Sequence, residues 1–187
     1  ENAPVKLLAN RLPEIPEGYD FDVFTKDALI NRMSSKNNRI ALPDGMSYQL
    51  LVIEQMADIS LDALRKIAKL VNDGAAIYGP RPSGSGSLND AAFAKEYQQL
   101  VNQLWGKEQS GMKVVGKGKV YWGITLADVI TKQRIQPDAG FKSGNIPTDK
   151  IYFAHRKSGD NDIYFLNKNR KNVFKDTIRL RTNATHA

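Results

Sequence analysis

The densest group of chemically capable side chains is His155-Arg156, with Asp160 and Asp162 just beyond. A histidine and an arginine placed together can bind a hydroxyl or a carboxylate. Tyr152 and Tyr164 nearby supply the apolar wall that a sugar site also needs. The same letters suit a hairpin with solvated ends, where an Arg–Asp pair across the strands is a common structural device. A second group is the loop Pro80-Arg81-Pro82-Ser83-Gly84-Ser85-Gly86-Ser87. It leaves a strand and enters a helix N-terminus, where backbone amides favour anions. Gly79 and Gly84 have the spacing of phosphate-loop glycines, but Ser85 stands where that motif requires lysine. Arg81 and Ser85 are therefore candidate anion or sugar contacts, and a plain connector is the simpler reading of the loop. Two carboxylate pairs, Asp20 with Asp22 and Asp160 with Asp162, have the residue types of a glycosidase dyad. A helix start accounts for the first pair and a turn for Asp160. Tyr121 and Trp122 can stack on a sugar or a base, and strand aromatics serve equally as core.

Much chemistry is closed to this chain. Its 187 residues include no cysteine, so there is no disulfide, thiolate metal site or cysteine nucleophile. Histidine occurs twice, at 155 and 186, which argues against a two- or three-histidine metal centre. A Ser-His-Asp triad would have to use His155, and no Gly-x-Ser-x-Gly elbow is present. No cofactor and no metal are expected. No apolar run approaches the roughly 18–20 residues of a membrane span, and no membrane partner is expected. The opening Glu1-Asn2-Ala3-Pro4 carries no signal-peptide pattern. Net charge is +7. The excess gathers between Asn145 and Ala187, where nine lysines and arginines face four aspartates. Such a patch can attract acidic polymers, or simply be a solvated basic surface.

The elements that must position these residues are those of an α/β protein. Residues 1–18 read as an irregular, proline-broken segment. Asp22 to Met33 reads as a helix capped by Asp22 or Thr25, followed by a polar break at 34–38 and a short extended piece at 39–43. Gln49–Ile53 lies in a nearly continuous apolar strand beginning at Tyr48. Ser60 caps a helix with Leu61, Leu64, Ile67, Ala68 and Val71 on one face, and Gly74 ends it. Ala75–Gly79 is a second buried strand. The spacing predicts one parallel strand–helix–strand crossover. A further helix is expected from Leu88 to Trp105, with Ser87 and Asp90 as a cap pair. Strands around a Gly-Lys-Gly turn follow, and then a short helix opened by Thr125 and stopped before Pro137. Residues 138–150 read as a linker or long loop. Residues 151–154 and 163–166 read as hairpin partners, and Val173 to Thr182 as a third strand. The domain reading is thus 19–137 as an α/β domain. Residues 138–187 are then a linker plus antiparallel strands that complete it or begin the next domain.

Several stretches in this order resemble a known family: Gly18-Tyr19-Asp20-Phe21-Asp22, Ile40-Ala41-Leu42-Pro43-Asp44-Gly45-Met46-Ser47-Tyr48, Gly74-Ala75-Ala76-Ile77-Tyr78-Gly79-Pro80-Arg81-Pro82, Gly118-Lys119-Val120-Tyr121-Trp122-Gly123, and Gly159-Asp160-Asn161-Asp162-Ile163-Tyr164-Phe165 after His155-Arg156. Together they resemble large bacterial glycoside hydrolases of the family 106 α-L-rhamnosidase type. The resemblance implies an accessory domain with a flavodoxin-like, glutamine-amidotransferase-like fold, placed after a catalytic barrel and before β-sandwich modules. It implies an architectural role that helps shape a substrate pocket. Its partners would be the other domains of the larger hydrolase, with carbohydrate as a ligand, and its location periplasmic or secreted. The family's catalytic glutamates lie on the barrel, which 187 residues cannot contain, so no catalytic residue is carried over. The missing cysteine withholds amidotransferase activity. No clear first strand precedes Tyr19, which suggests a fragment of a larger enzyme. The competing class is a stand-alone basic module for acidic polysaccharide, with nucleic acid the weaker candidate.

Overall fold

A computed structural model describes residues 13–53, 58–142, 151–168 and 177–182. The described residues fall into two compact units. Phe24–Gln133 make the first, and Ile15–Val23 join Arg134–Ala187 in the second.

The first unit opens with helix α1 (Lys26–Arg32), shorter than the expected 22–33. Its start is set by Thr25, whose hydroxyl accepts the Ala28 amide at 3.2 Å. A three-stranded antiparallel sheet follows, formed by β1 (Ser34–Lys36), β2 (Arg39–Ala41) and β3 (Ser47–Tyr48). The polar break at 34–38 is a hairpin rather than a loop. Asn37 and Asn38 both take positive φ, +53° and +59°, the backbone that lets a two-residue turn match strand twist.

The main sheet has four strands in the order β4 (Leu51–Val52), β5 (Ala76–Tyr78), β7 (Gly118–Trp122), β6 (Gly111–Val115). The expected parallel pairing is present, with Leu51 opposite Ile77 and Val52 opposite Tyr78. The β5–β7 pair is also parallel, and β6–β7 is antiparallel. The sheet is therefore mixed rather than all parallel. The reason is the two-residue link Gly116-Lys117, which is too short for anything but an antiparallel return. The single apolar strand expected from Tyr48 to Ile53 is divided: Tyr48 belongs to the small sheet and Leu51–Val52 to the main one. Apolarity along the run does not reveal that Gln49-Leu50 turns the chain between sheets.

Helix α2 (Leu61–Asn72) is the crossover, and its apolar stripe is buried as the 3.6-residue period requires. Gly74 ends it at φ +118°, and a Cβ there would sit 2.7 Å from Asn38 Oδ1. Ser60 occupies the N-cap but makes no side-chain cap bond. Asp90 does that work from a distance: its Oδ2 accepts the Leu61 amide at 3.0 Å. Asp90 is free to do so because 88–105 is not one α-helix. Leu88–Phe93 forms a 3₁₀ helix, and α3 is Ala94–Leu104. Tyr97, Val101, Leu104 and Trp105 are buried, and the Trp105 indole N–H donates to the Gly79 carbonyl at 3.1 Å.

Alternation along β5 and β7 gives the sheet two buried faces. Ile77, Val120 and Trp122 join the cluster containing α2 and α3. Tyr78 and Tyr121 point the other way, where α4 (Leu126–Gln133) places Gln133 Nε2 at 2.6 Å from the Tyr121 hydroxyl. Thr125 opens α4 as expected, with Asp128 as its reciprocal partner.

In the second unit, β8 (Ala139–Phe141) pairs antiparallel with β11 (Ile178–Leu180). The expected linker at 138–150 thus begins with a strand, and 143–150 lie outside the described residues. The expected hairpin is present and longer than 151–154 and 163–166. Strand β9 (Ile151–Ser158) pairs with β10 (Asn161–Lys168) around Gly159-Asp160. The expected third strand, 173–182, is represented by β11, which pairs with β8; 173–176 lie outside the described residues.

Two substitutions test this packing. A Cβ on Gly118 would lie 2.3 Å from both the Ala75 and Val71 carbonyl oxygens. Gly118→Ala should cost about 2–3 kcal/mol in urea unfolding, as overpacking of a backbone contact does. Asp90→Ala, which only strips a helix cap, should cost about 1–2 kcal/mol.

Candidate functional site

The hairpin of the second unit aims alternate side chains to opposite faces. His155 and Tyr164 are paired across the strands and lie on the same face. Their rings stack with centroids 4.2 Å apart and planes 2° from parallel. The imidazole is gripped at both nitrogens. Nδ1 lies 2.9 Å from Asp138 Oδ1, and Nε2 lies 2.9 Å from Asp162 Oδ1. Each ring nitrogen thus faces a carboxylate oxygen at hydrogen-bond distance. The three side chains expose only 11%, 13% and 9% of their surface.

Around this triplet every participant has a second tie. Asp138 accepts the Asp20 amide at 3.2 Å and an ion-paired hydrogen bond from Arg181. Asp162 accepts the Thr182 hydroxyl at 2.8 Å. Asp20 accepts the His155 amide at 2.9 Å and Arg156 Nη1 at 3.1 Å, and Arg156 also reaches Asp22 at 3.6 Å. The Tyr164 hydroxyl donates to the Arg181 carbonyl at 2.5 Å. The loop carrying Asp20 is itself anchored, because Gly18 O accepts the amides of Asp138 and Ala139 at 2.7 and 3.1 Å.

The electrostatics follow from these contacts. Burial pushes the Asp138 carboxyl up, but hydrogen bonds from His155 and Arg181 outweigh it and hold the group below its ordinary value. Asp162 is also lowered, first by the His155 hydrogen bond and then by Thr182. Tyr164 is raised, by burial and then by the Asp138 charge.

The structure thus brings together His155, Arg156 and Asp162 of the expected group and adds Asp20 from the other carboxylate pair. Asp160 is elsewhere, in the exposed turn. Arg81 and Ser85 lie in the first unit. Arg81 donates to the Trp105 and Gly106 carbonyls and to Asn102 Oδ1. The Ser85 hydroxyl bonds Ser87 within the loop. The loop is tied down by Gly84 O, which accepts the Ile59 amide at 3.0 Å and also the Tyr97 hydroxyl. Trp122 and Tyr121 are both buried, and the Trp122 indole donates to Glu108 O at 2.9 Å. A cleft of about 360 Å³ opens beside them, at the carboxyl ends of β5 and β7. Among the described residues no group of three or more histidines or acids is placed to hold a metal ion.

Asp138, Arg181 and Thr182 were not among the residues singled out from the sequence. Asp138 follows Pro137 in a stretch that reads as linker, and Arg181 lies in an alternating strand. Nothing local marks Asp138 as a partner of His155, or Arg181 as a partner of Asp138. What His155 can do chemically is limited by its neighbours: a ring held at both nitrogens must release a carboxylate before it can exchange a proton with a ligand.

Comparisons with known proteins bear on the whole chain. The glycoside hydrolase 106 family model, described as alpha-L-rhamnosidase, matches residues 1–186. A Formosa agariphila protein named "Putative beta-glucuronidase" is 32% identical over 172 residues, a match covering 91% of this chain and 14% of that protein. The structure of a rhamnosidase from Novosphingobium sp. PP1Y superposes with a TM-score of 0.73 at 29% identity, covering 81% of this chain and 14% of that one. The chain spans only 14% of the length of each of these relatives.

The lowered acids set a pH dependence. Carboxyls depressed in the folded state stabilise it above the unfolded value, about 3.9 for aspartate, and lose that contribution as pH falls through their folded values. Amide exchange in the β9–β10 hairpin should therefore be insensitive to this linkage at neutral pH and lose protection below about pH 4. Asp138→Asn should flatten that acid limb.

Proposed function

Since the chain belongs to the glycoside hydrolase 106 family of alpha-L-rhamnosidases, we propose that it is a non-catalytic accessory module of a larger carbohydrate-active enzyme. The observation that carries this reading is the closed cluster around His155. Its three aspartates, its imidazole and its two arginines are bound to one another, as in a structural lock. A hydrolytic pair instead needs a proton donor and a carboxylate turned toward a glycosidic bond. The small share of each relative that the chain spans supports a module rather than a stand-alone binder. The finer reading of the first unit is a flavodoxin-like, amidotransferase-like domain, supported by the β4–α2–β5 crossover and the parallel β5–β7 pair. With no cysteine in the chain, that likeness is architectural. A role in shaping the substrate pocket of a periplasmic or secreted rhamnosidase-type enzyme completes the proposal.

The test uses the full-length enzyme with an aryl α-L-rhamnoside. His155→Ala removes one partner from each of two largely buried carboxylates, which keep Arg181 and Thr182, and should destabilise the second unit by about 1–3 kcal/mol. The folded fraction should keep kcat/KM within about twofold of wild type, a small change in transition-state stabilisation. A loss of more than about tenfold in kcat/KM at unchanged stability would mean that His155 contacts substrate, and the architectural reading would fail.

A further inference from the structure

The cleft at the carboxyl ends of β5 and β7 is the feature left without a role. These strands are parallel neighbours, and the chain leaves them toward opposite faces of the sheet. From β5 it runs through 80–87 to α3, whose Tyr97, Val101 and Leu104 join the cluster of Val120 and Trp122. From β7 it turns through Gly123 to α4, on the Tyr121 face. Adjacent loops that part in this way leave a crevice between them, and open α/β sheets bind ligands in such crevices. Here it measures about 360 Å³, within the range of small-molecule sites. Its walls are tied together. The Tyr78 hydroxyl donates to Ile124 O at 2.8 Å, from one loop to the other. The Trp122 indole and Arg81 Nη1 hold the third wall by the carbonyls of Glu108 and Gly106, at 2.9 and 3.1 Å. Gly123, at φ +65°, lies where a Cβ would collide with Gln109 O.

Those ties to the third wall use backbone oxygens and leave polar side chains over. Arg81 and Glu108 are the charged members of the lining, and they meet at Gly106. Arg81 bonds the Gly106 carbonyl, and a Glu108 carboxylate oxygen lies over its Cα, where a Cβ would stand. Among the described residues no ion pair joins the two. Arg81 bonds two carbonyls and the Asn102 amide oxygen through its Nη atoms, which leaves Nε without an acceptor there. The Glu108 carboxylate and the Gln109 amide have no hydrogen-bond partner among the described residues.

We propose that this cleft binds one neutral sugar residue, with Arg81 donating and Glu108 accepting at neighbouring hydroxyls. A hydroxyl both donates and accepts, so a vicinal pair matches a cation and a carboxylate held close together and unpaired. An anionic ligand would satisfy Arg81 but be repelled by Glu108. Gln109 adds a further donor and acceptor, and Pro80 and Trp122 supply apolar wall. The choice of a sugar over other neutral polyols rests on the accessory-module reading. The site itself rests on the topology and the unpaired side chains.

Hydrogen exchange of the full-length protein, followed peptide by peptide by mass spectrometry, tests this. The probes are methyl α-L-rhamnoside, methyl β-D-glucoside and methyl β-D-galactoside, with methyl β-D-glucuronide as the charged comparator. A single sugar held by a few groups binds with a Kd of about 1–10 mM. With a neutral probe at several times that concentration, exchange in peptides covering 78–81 and 106–109 should slow at least about threefold for one or more of the three. Glu108→Ala should remove that slowing. Glu108 is exposed and its carboxylate supports no other contact, so the variant should fold as wild type does. Slowing that survives in Glu108→Ala overturns the proposal. Slowing by the glucuronide alone makes the cleft an anion site, and no slowing by any neutral probe shows that it binds no sugar. Either result overturns the proposal and leaves the accessory-module reading standing. A fall of more than about a thousandfold in kcat toward an aryl α-L-rhamnoside in Glu108→Ala would put Glu108 at the bond being cleaved. That result overturns the non-catalytic reading and this proposal with it.

Discussion

A two-stranded ribbon does not hold its shape in water without something to pack against. Among the described residues, the strands of the second unit form two such ribbons, β8–β11 and β9–β10. They are joined around the His155 side chain, carried on β9 and held by Asp138 just before β8 and by Asp162 on β10, with Tyr164 and Thr182 adding ties between β10 and the end of β11. Arg181, just past β11, closes the circuit on Asp138, and Asp20 ties in the segment before α1. Taking these charges out of water is costly unless each is paired and hydrogen-bonded. Here each carboxylate has at least two partners, so the cluster holds as a whole. Loss of one member leaves each of its neighbours with fewer partners.

The first unit is organised by burial and close backbone approach. Strand β5 is covered on both faces and has a parallel neighbour on each side. Gly79 and Gly118 flank this centre. A side chain on Gly79 would strike Ile53, and one on Gly118 would strike the carbonyls of Ala75 and Val71. The helices attach by mixed means: an apolar stripe on α2, a distant aspartate cap at its start, and a tryptophan indole tying the end of α3 to Gly79.

These two modes of construction bear on function. Polar residues that look reactive in the sequence are largely consumed in holding strands together, while apolar residues that look like core are partly turned outward. An arginine and a serine in the glycine-rich loop brace that loop. A phenylalanine in an alternating strand faces solvent. Both facts agree with the accessory-module reading proposed above.

Local grammar in the sequence determined the elements. The apolar period of Leu61–Val71 with Gly74 after it, the Thr125 start and the Gly159-Asp160 turn between two apolar strands each specify their structure, because propensity and capping act within a few residues. The approach of His155 and Asp162 was also legible, since hairpin register brings them close. The division of 48–53 between two sheets, the 3₁₀ start at Leu88 and the pairing of β8 with β11 were not. Each depends on partners far along the chain. The meeting of Asp20, Asp138, His155 and Arg181 belongs to the same class. Ion pairs and ladder bonds are satisfied by whichever group the fold delivers within about 3 Å, and no spacing in the sequence encodes that delivery.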